Sequence, residues 1–406
     1  SQALGFRMGC PCFCSVCRAM NIEIGGAGYG NKGAELMLLA ILDRLRTSLP
    51  EARFVVASSA GPYEWRAKQG LFQKFDAQRA GRLGWFIELL MHRGYRGRYG
   101  LVKEDEVDVL LDASGFAYGD AWKPEWVEGG AQGVTRAKAA HQKVILLPQA
   151  FGPFNEGRIR RAAHSIFENA DLIYARDPKS YRYVAELLTQ DEVKTKLRQA
   201  PDFTNLLQGV VPRDWKENGR RVAVIPNAKM LTHGSREQKK AYVPFLCQCI
   251  EEVEANGYTP FVLLHEEGDR SLAQEVCEAS GPALEVICEA DPLKLKGIIG
   301  TCPFAVSSRF HGLVNALSQG VPAVATGWSH KYRHLMKQYR VGHLLVDPYG
   351  QTGKARQAIR SFATDEKRSD LSDTIESAAA ELRAETEAMW DGVEGLIRGE
   401  ELHCIP

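Results

Sequence analysis

Residues 21–58 spell out strand, glycine loop, helix and strand with almost nothing between them. NIEI at 21–24 reads as a first strand and GGAGYGNKG at 25–33 as a loop. AELMLLAILDRLRTSL at 34–49 places apolar side chains at i, i+3 and i+4, the period of a helix with one buried face. RFVVAS at 53–58 is then a second buried strand. Two strands joined through a helix run parallel, so this stretch predicts a βαβ unit within a parallel sheet. Three further apolar runs repeat the theme: VDVLL at 107–111, KVILL at 143–147 and LIYA at 172–175. Each runs into polar or glycine residues, respectively Asp112-Ala113-Ser114-Gly115, Pro148-Gln149 and Arg176-Asp177-Pro178. Asp177 suits a helix N-cap and Pro178 the first helical position.

A polar stretch with proline and glycine, GVVPRDWKENGR at 209–220, marks a domain boundary. Strand signals restart after it: VAVIP (222–226), PFVLLH (260–265), LEVI (284–287), FAVSS (304–308) and PAVAT (322–326). Helical stretches separate them, with 240–255 the clearest, and residues 354–395 read as closing helices. At 406 residues the chain exceeds one ordinary core. The expectation is an α/β protein of two Rossmann-like doubly wound domains facing a central cleft. Its parts are a cysteine-rich tail at 1–19 outside the fold, a first domain at 20–212, a second at 213–350, and helices at 351–406.

Carboxyl ends of strands in such sheets face the ligand crevice. Arg176 is therefore expected to point into the cleft, in preference to a surface ion pair with Asp171 or Asp177. The same rule singles out residues 302–331, CPFAVSSRFHGLVNALSQGVPAVATGWSHK. A short strand ends at Ser307-Ser308, Arg309-Phe310-His311 follow without a break, and residues 312–319 carry one apolar helical face. Gly320 suits the C′ position before the next buried strand. Arg309 and His311 thus sit where free N–H groups and the helix dipole already favour an anion. The pattern predicts a phosphate or carboxylate site, with Lys331 approaching the same crevice.

Gly28, Gly30 and Gly33 formally match G-x-G-x-x-G. The dinucleotide reading requires an acid near the end of the second strand to hold a ribose, where this chain has Ser58-Ser59-Ala60. NAD and FAD are set aside. What is kept is close approach of a ligand to backbone, with Asn31 and Glu35 directed into the loop, against a glycine turn needed only for packing.

Lysine plus arginine (51) nearly cancel aspartate plus glutamate (50), which argues against a dedicated nucleic-acid binder. No apolar run approaches the roughly 18 residues of a membrane span, and no signal-peptide core is visible. A reducing cytosol is the expected compartment. Cys10, Cys12, Cys14 and Cys17 crowd together, but C-x-C-x-C-x-x-C is not a common metal pattern. No metal is expected, and the four are read as part of a tail preceding Met20. Cys247 and Cys249, two apart on a helix, do not share a face. They and Cys277, Cys288, Cys302 and Cys404 read as ordinary buried or surface thiols. Residues 78–100 set Trp85, Phe86, Ile87 and Leu89 among five arginines. The bland reading, a core-facing helix followed by a solvated basic loop, is preferred to a peripheral contact with the inner face of a membrane.

Taken together, these motifs resemble the polysaccharide pyruvyl transferase family, from about residue 21 to about 345. The matching pieces are Gly30-Asn31-Lys32-Gly33-Ala34-Glu35, Leu147-Pro148-Gln149 with Gly152-Pro153, Ala175-Arg176-Asp177, Pro201-Asp202, Ser308-Arg309-Phe310-His311-Gly312, Gly320-Val321-Pro322 and Lys331. Ala34 departs from the acidic residue that many members carry there. The resemblance implies a GT-B-like fold and transfer of a pyruvyl group from phosphoenolpyruvate, the donor substrate, to a sugar as a ketal, with no cofactor. It further implies that Arg176, Arg309, Phe310 (through its backbone) and His311 hold the donor, joined by Lys331. His311 and Arg309 are then the catalytic candidates. Cleft geometry puts the acceptor, a sugar, oligosaccharide or lipid-linked glycan, near Asn31, Glu35, Asp112 and Gln149. Two other readings are weighed. A GT-B glycosyltransferase using a nucleotide sugar commonly holds the donor ribose with an acid on the helix that here reads LVNALSQ, without one. A noncatalytic carbohydrate-binding protein on the same scaffold is the other.

Overall fold

The computed structural model describes residues 18–75, 93–281 and 284–400. The four N-terminal cysteines, Cys404 and the Trp85 segment lie outside the described residues. Strands β1 (Asn21–Gly25), β2 (Arg53–Ala57), β3 (Phe72–Phe75), β4 (Leu101–Lys103), β5 (Val109–Asp112), β6 (Lys143–Gln149), β7 (Leu172–Ala175) and β8 (Leu197–Gln199) form one sheet, ordered β4-β3-β2-β1-β5-β6-β7-β8. Strands β9 (Arg221–Ile225), β10 (Thr259–Leu264), β11 (Glu285–Cys288), β12 (Ala305–Ser307) and β13 (Ala323–Ala325) form a second, ordered β11-β10-β9-β12-β13. Neighbouring strands are parallel, as in Ile22 beside Val109 and Val224 beside Val306.

In each sheet the winding reverses once, between β1 and β5 and between β9 and β12. Loops at such a reversal splay apart beyond the carboxyl ends of the strands and open a crevice. The glycine loop after β1 and Ser114 after β5 therefore face one opening. Asn227 after β9 and Arg309 after β12 face the other.

Helix α1 (Lys32–Ser48) starts at the glycine loop, where the Asn31 side chain accepts from the Gly33 and Ala34 N–H groups. It begins two residues earlier than the apolar pattern alone suggests, because that cap organises the first turn. Helix α2 (Pro178–Ala185) is capped by Asp177, as its sequence predicts. The second sheet contributes α3 (Pro292–Gly300), α4 (Phe310–Leu317) and α5 (His330–Gln338). Helix α6 (Asp365–Arg398) then crosses both cores: Ile375, Ala378, Ala379 and Leu382 pack on the second, and Met389, Trp390, Val393 and Ile397 on the first. No described helix is long and apolar enough to cross a membrane.

The basic loop expected within residues 78–100 is in part a short helix, Arg93–Arg98, and Arg96 is buried against Glu106 instead of solvated. Cys249 is buried while Cys247 is only partly so, in line with their opposite faces.

Candidate active site

A cavity of about 260 Å³ lies where the two sheets face one another. Arg176, Arg309, Phe310, His311 and Lys331 all line it, as do Asn31, Lys229 and His265. Its lining includes no aspartate or glutamate. Four basic side chains surround this small volume, and the carboxylates that answer two of them, Asp202 for Arg176 and Glu266 with Asp269 for Arg309, stand behind the lining.

Each cation is held differently. Arg176, only 3% exposed, donates to Asp202 Oδ2 at 2.8 Å and to the Gly115 carbonyl at 3.2 Å. Its guanidinium also stacks on Phe310, 4.1 Å from the ring centre. The surface pairs with Asp171 or Asp177 do not form: Asp171 binds Lys138, and Asp177 caps α2 beside His330. Arg309 is clamped between Asp269, through Nε at 2.8 Å and Nη2, and Glu266, through Nη1. Lys331 has no carboxylate partner among the described residues. Its ammonium lies 5.2 Å from the Phe310 ring centre and 5.5 Å from those of Phe116 and Trp328. Burial, with Arg176 and Lys229 nearby, pushes this lysine well below its ordinary range.

His311 sits at the first turn of α4, with Nε2 3.4 Å from Asp202 Oδ2. Burial alone would raise the Asp202 carboxyl, but His311 and then Arg176 outweigh it and hold Asp202 far below the usual carboxylate range. The other edge of the imidazole lies against α1: a Cβ built on Gly33 would fall 2.0 Å from His311 Nδ1. Only glycine there admits the ring. His265, after β10, is buried with Nε2 unpartnered, and burial followed by Arg309 and His311 drives it well below the ordinary histidine range.

The proposed acceptor group divides. Asn31 reaches the cavity. Glu35 does not; it turns back to accept from the Gly30 N–H at 2.9 Å and from Lys32, bracing the loop. Asp112 faces a neighbouring cavity of about 160 Å³ and accepts from the hydroxyls of Ser114 and Tyr118. Burial raises its carboxyl despite those bonds. Gln149 is fully buried beside Asp112, and it lines neither cavity.

Sequence reasoning gave no role to Asp202, Glu266, Asp269, Lys229 or the aromatic wall of Phe116, Trp122, Trp328 and Tyr332. Glu266 and Asp269 lie two and five residues beyond the end of β10, in the turn that follows it.

The family model described as polysaccharide pyruvyl transferase matches residues 31–330. The Erwinia amylovora protein named "Amylovoran biosynthesis protein AmsJ" is 21% identical over 373 residues, covering 80% of this chain and 87% of the relative. The structure of S. aureus MnaA with UDP superposes with a TM-score of 0.58 at 13% identity, covering 94% of this chain and 97% of that one. A UDP-glucose:anthocyanidin 3-O-glucosyltransferase in complex with UDP gives 0.53 at 10% identity, covering 94% and 100%. These structural likenesses identify the fold as GT-B-like.

Proposed function

The chain belongs to the polysaccharide pyruvyl transferase family, and from that premise we propose that its cavity binds phosphoenolpyruvate and delivers the pyruvyl group to a pair of sugar hydroxyls as a ketal. The observation that carries the reading is the lining itself: Arg176, Lys229, Arg309 and Lys331 with no carboxylate among them. Phosphoenolpyruvate brings a phosphate and a carboxylate to be matched. Arg309 already answers two acids and Arg176 answers Asp202, so Lys331, with no carboxylate partner among the described residues, is the basic group that a bound donor anion would pair with. The first N–H groups of α4 lack intrahelical acceptors and add to its pull.

The reaction runs in two steps. One sugar hydroxyl adds to C2 of the donor while C3 takes a proton, turning the methylene into a methyl group, and the proton that the hydroxyl gives up restores the acid. His311, whose Nε2 lies 3.4 Å from Asp202 Oδ2, delivers the proton to C3. Such general acid catalysis typically contributes about 10²–10⁴-fold. The second hydroxyl then attacks C2, the bond to the phosphate oxygen breaks, and the hydroxyl proton leaves with phosphate. The cations offset the charge that gathers on the leaving group.

The test is donor binding by calorimetry beside phosphate release with a panel of glycosides, for the native protein and Lys331→Met. Donor binding lost in the variant, with release dependent on a glycoside, is the expected result. A native protein that binds a nucleoside diphosphate and not phosphoenolpyruvate would sink the proposal.

A further inference from the structure

The cavity opens into a wider groove of about 620 Å³ on the first sheet, and the two share Gly26, Ala34 and Ser114. One wall is the glycine loop with Tyr29 and Ser59. The other is the first half of the helix Pro124–Ala139, through Glu125, Trp126 and Gly129. Trp126 is 64% exposed, unusual for so large an apolar side chain. Its ring stacks on Trp122 with centres 6.4 Å apart and planes 27° apart. Trp122 meets Phe116 at 6.2 Å, and Phe116 meets Trp328 at 6.3 Å. Trp122, Phe116 and Trp328 all line the donor cavity. A chain of aromatic rings, stacked at Trp122 and Trp126 and edge-on or tilted beyond, therefore links the open groove to the proposed reaction centre, and the Trp122 indole N–H is buried along it without a partner.

The helix wall adds a second observation. Glycine is among the poorest helix formers, yet Gly129 and Gly130 stand side by side in this helix. Gly130 has a packing reason, since a Cβ there would fall 2.9 Å from the Tyr118 ring. Gly129 has none: a Cβ there meets nothing within 4 Å, and the residue lines the groove. A bare helix face keeps the groove wide.

We propose that the groove seats the sugars adjoining the one that is modified, so that the acceptor is recognised as an oligosaccharide or polymer, with Trp126 as a stacking platform. The inference rests on the donor reading above, which places the reacting sugar where groove and cavity meet. Sugar rings offer C–H faces to aromatic rings and hydroxyls to Glu125 and Ser59 on the groove walls.

The experiment measures binding of cello-, malto- and galacto-oligosaccharides of one to six sugars, and of octyl glycosides of the single sugars, with phosphoenolpyruvate binding measured alongside. The proteins are the native chain, Trp126→Ala, Trp126→Phe and Gly129→Phe. In one oligosaccharide series, affinity should rise at least tenfold with length. That gain should vanish in Trp126→Ala and Gly129→Phe and persist in Trp126→Phe, with donor affinity equal in all four. Absence of a length-dependent gain in every series, or a gain that survives both disruptive variants, overturns the groove while leaving the donor reading intact. A gain from the octyl chain in place of added sugars also overturns it, in favour of a lipid carrier. Length-dependent binding without any donor binding supports the groove and removes the donor reading.

Discussion

Two basic side chains of the cavity lining, Arg309 and Lys331, differ in what balances them. Arg309 answers Asp269, which is fully buried, and Glu266. Removing Arg309 strands both acids, so Arg309→Ala should lower folding stability by about 3–5 kcal/mol in urea denaturation. Lys331→Met removes a buried charge with no carboxylate partner among the described residues, and should change stability by less than about 1 kcal/mol while abolishing donor binding. Equal losses of stability in the two variants would contradict this division. Gly33 gives a sharper case. Gly33→Ala forces a Cβ into the space of His311 Nδ1. Because a misplacement near 1 Å can cost about 10²-fold, kcat should fall by roughly that factor with little loss of stability, as read from steady-state kinetics and thermal melting. Arg176, Arg309 and His311 were legible in the sequence because each follows an apolar strand directly. Their counter-charges were not, since Asp202, Glu266 and Asp269 arrive from other strand ends far along the chain. Spacing puts Glu35 at the glycine loop, where it does turn; that the Gly30 N–H and Lys32 occupy it there is visible only in the geometry.

Among the elements, α3 carries an ionisable group where few helices do. Lys296 is fully buried and donates to the Thr204 carbonyl at 3.0 Å, tying α3 to the segment after β8. Burial pulls its ammonium down to about 7, against a smaller opposing pull from Asp202. Its folded value lies below its unfolded one, so between pH 7 and about 10 the unfolded chain binds more protons. Over that window this lysine makes stability rise with pH. Lys296→Met should remove that slope, as denaturation midpoints at pH 6.5 and 9 would reveal; an unchanged slope would show that Lys296 is not its source. Strands of continuous apolar sequence, such as VVA in β2 and LLP in β6, were readable without a structure. The short strands β3, β4 and β8 were not: FQKF, LVK and LRQ alternate or mix polarity at partly exposed positions near the sheet edges, where burial leaves little mark on composition.

At the scale of the whole molecule, the sheets meet through several polar contacts besides the cavity. Asn31 pairs with Glu266 in an isolated bridge, Lys32 reaches the Ala290 carbonyl at 2.7 Å, and Asp177 lies 3.5 Å from His330. The two-sheet plan was legible from the restart of strand signals near residue 222. The path of α6 was not, because an apolar stripe does not say which core it will cover. That helix has 34 residues and so spans about 50 Å. Besides its two apolar patches, it is fastened to the first sheet's layer by Arg44, which binds Glu387, Asp391 and Glu394, and by Asn205, which donates to Thr386 at 2.9 Å. Toward the second sheet, Arg383 donates to the Ser318 carbonyl. Chains with two cores often melt in two stages. Here neither core can melt without uncovering a patch of the same continuous helix. Scanning calorimetry should therefore record one cooperative transition, and Trp390→Ala, which removes a ring packed on Phe203, should move the whole peak to lower temperature without splitting it. Two separate peaks would show that the halves melt independently; a single peak would make α6 the element through which each half feels the other's stability.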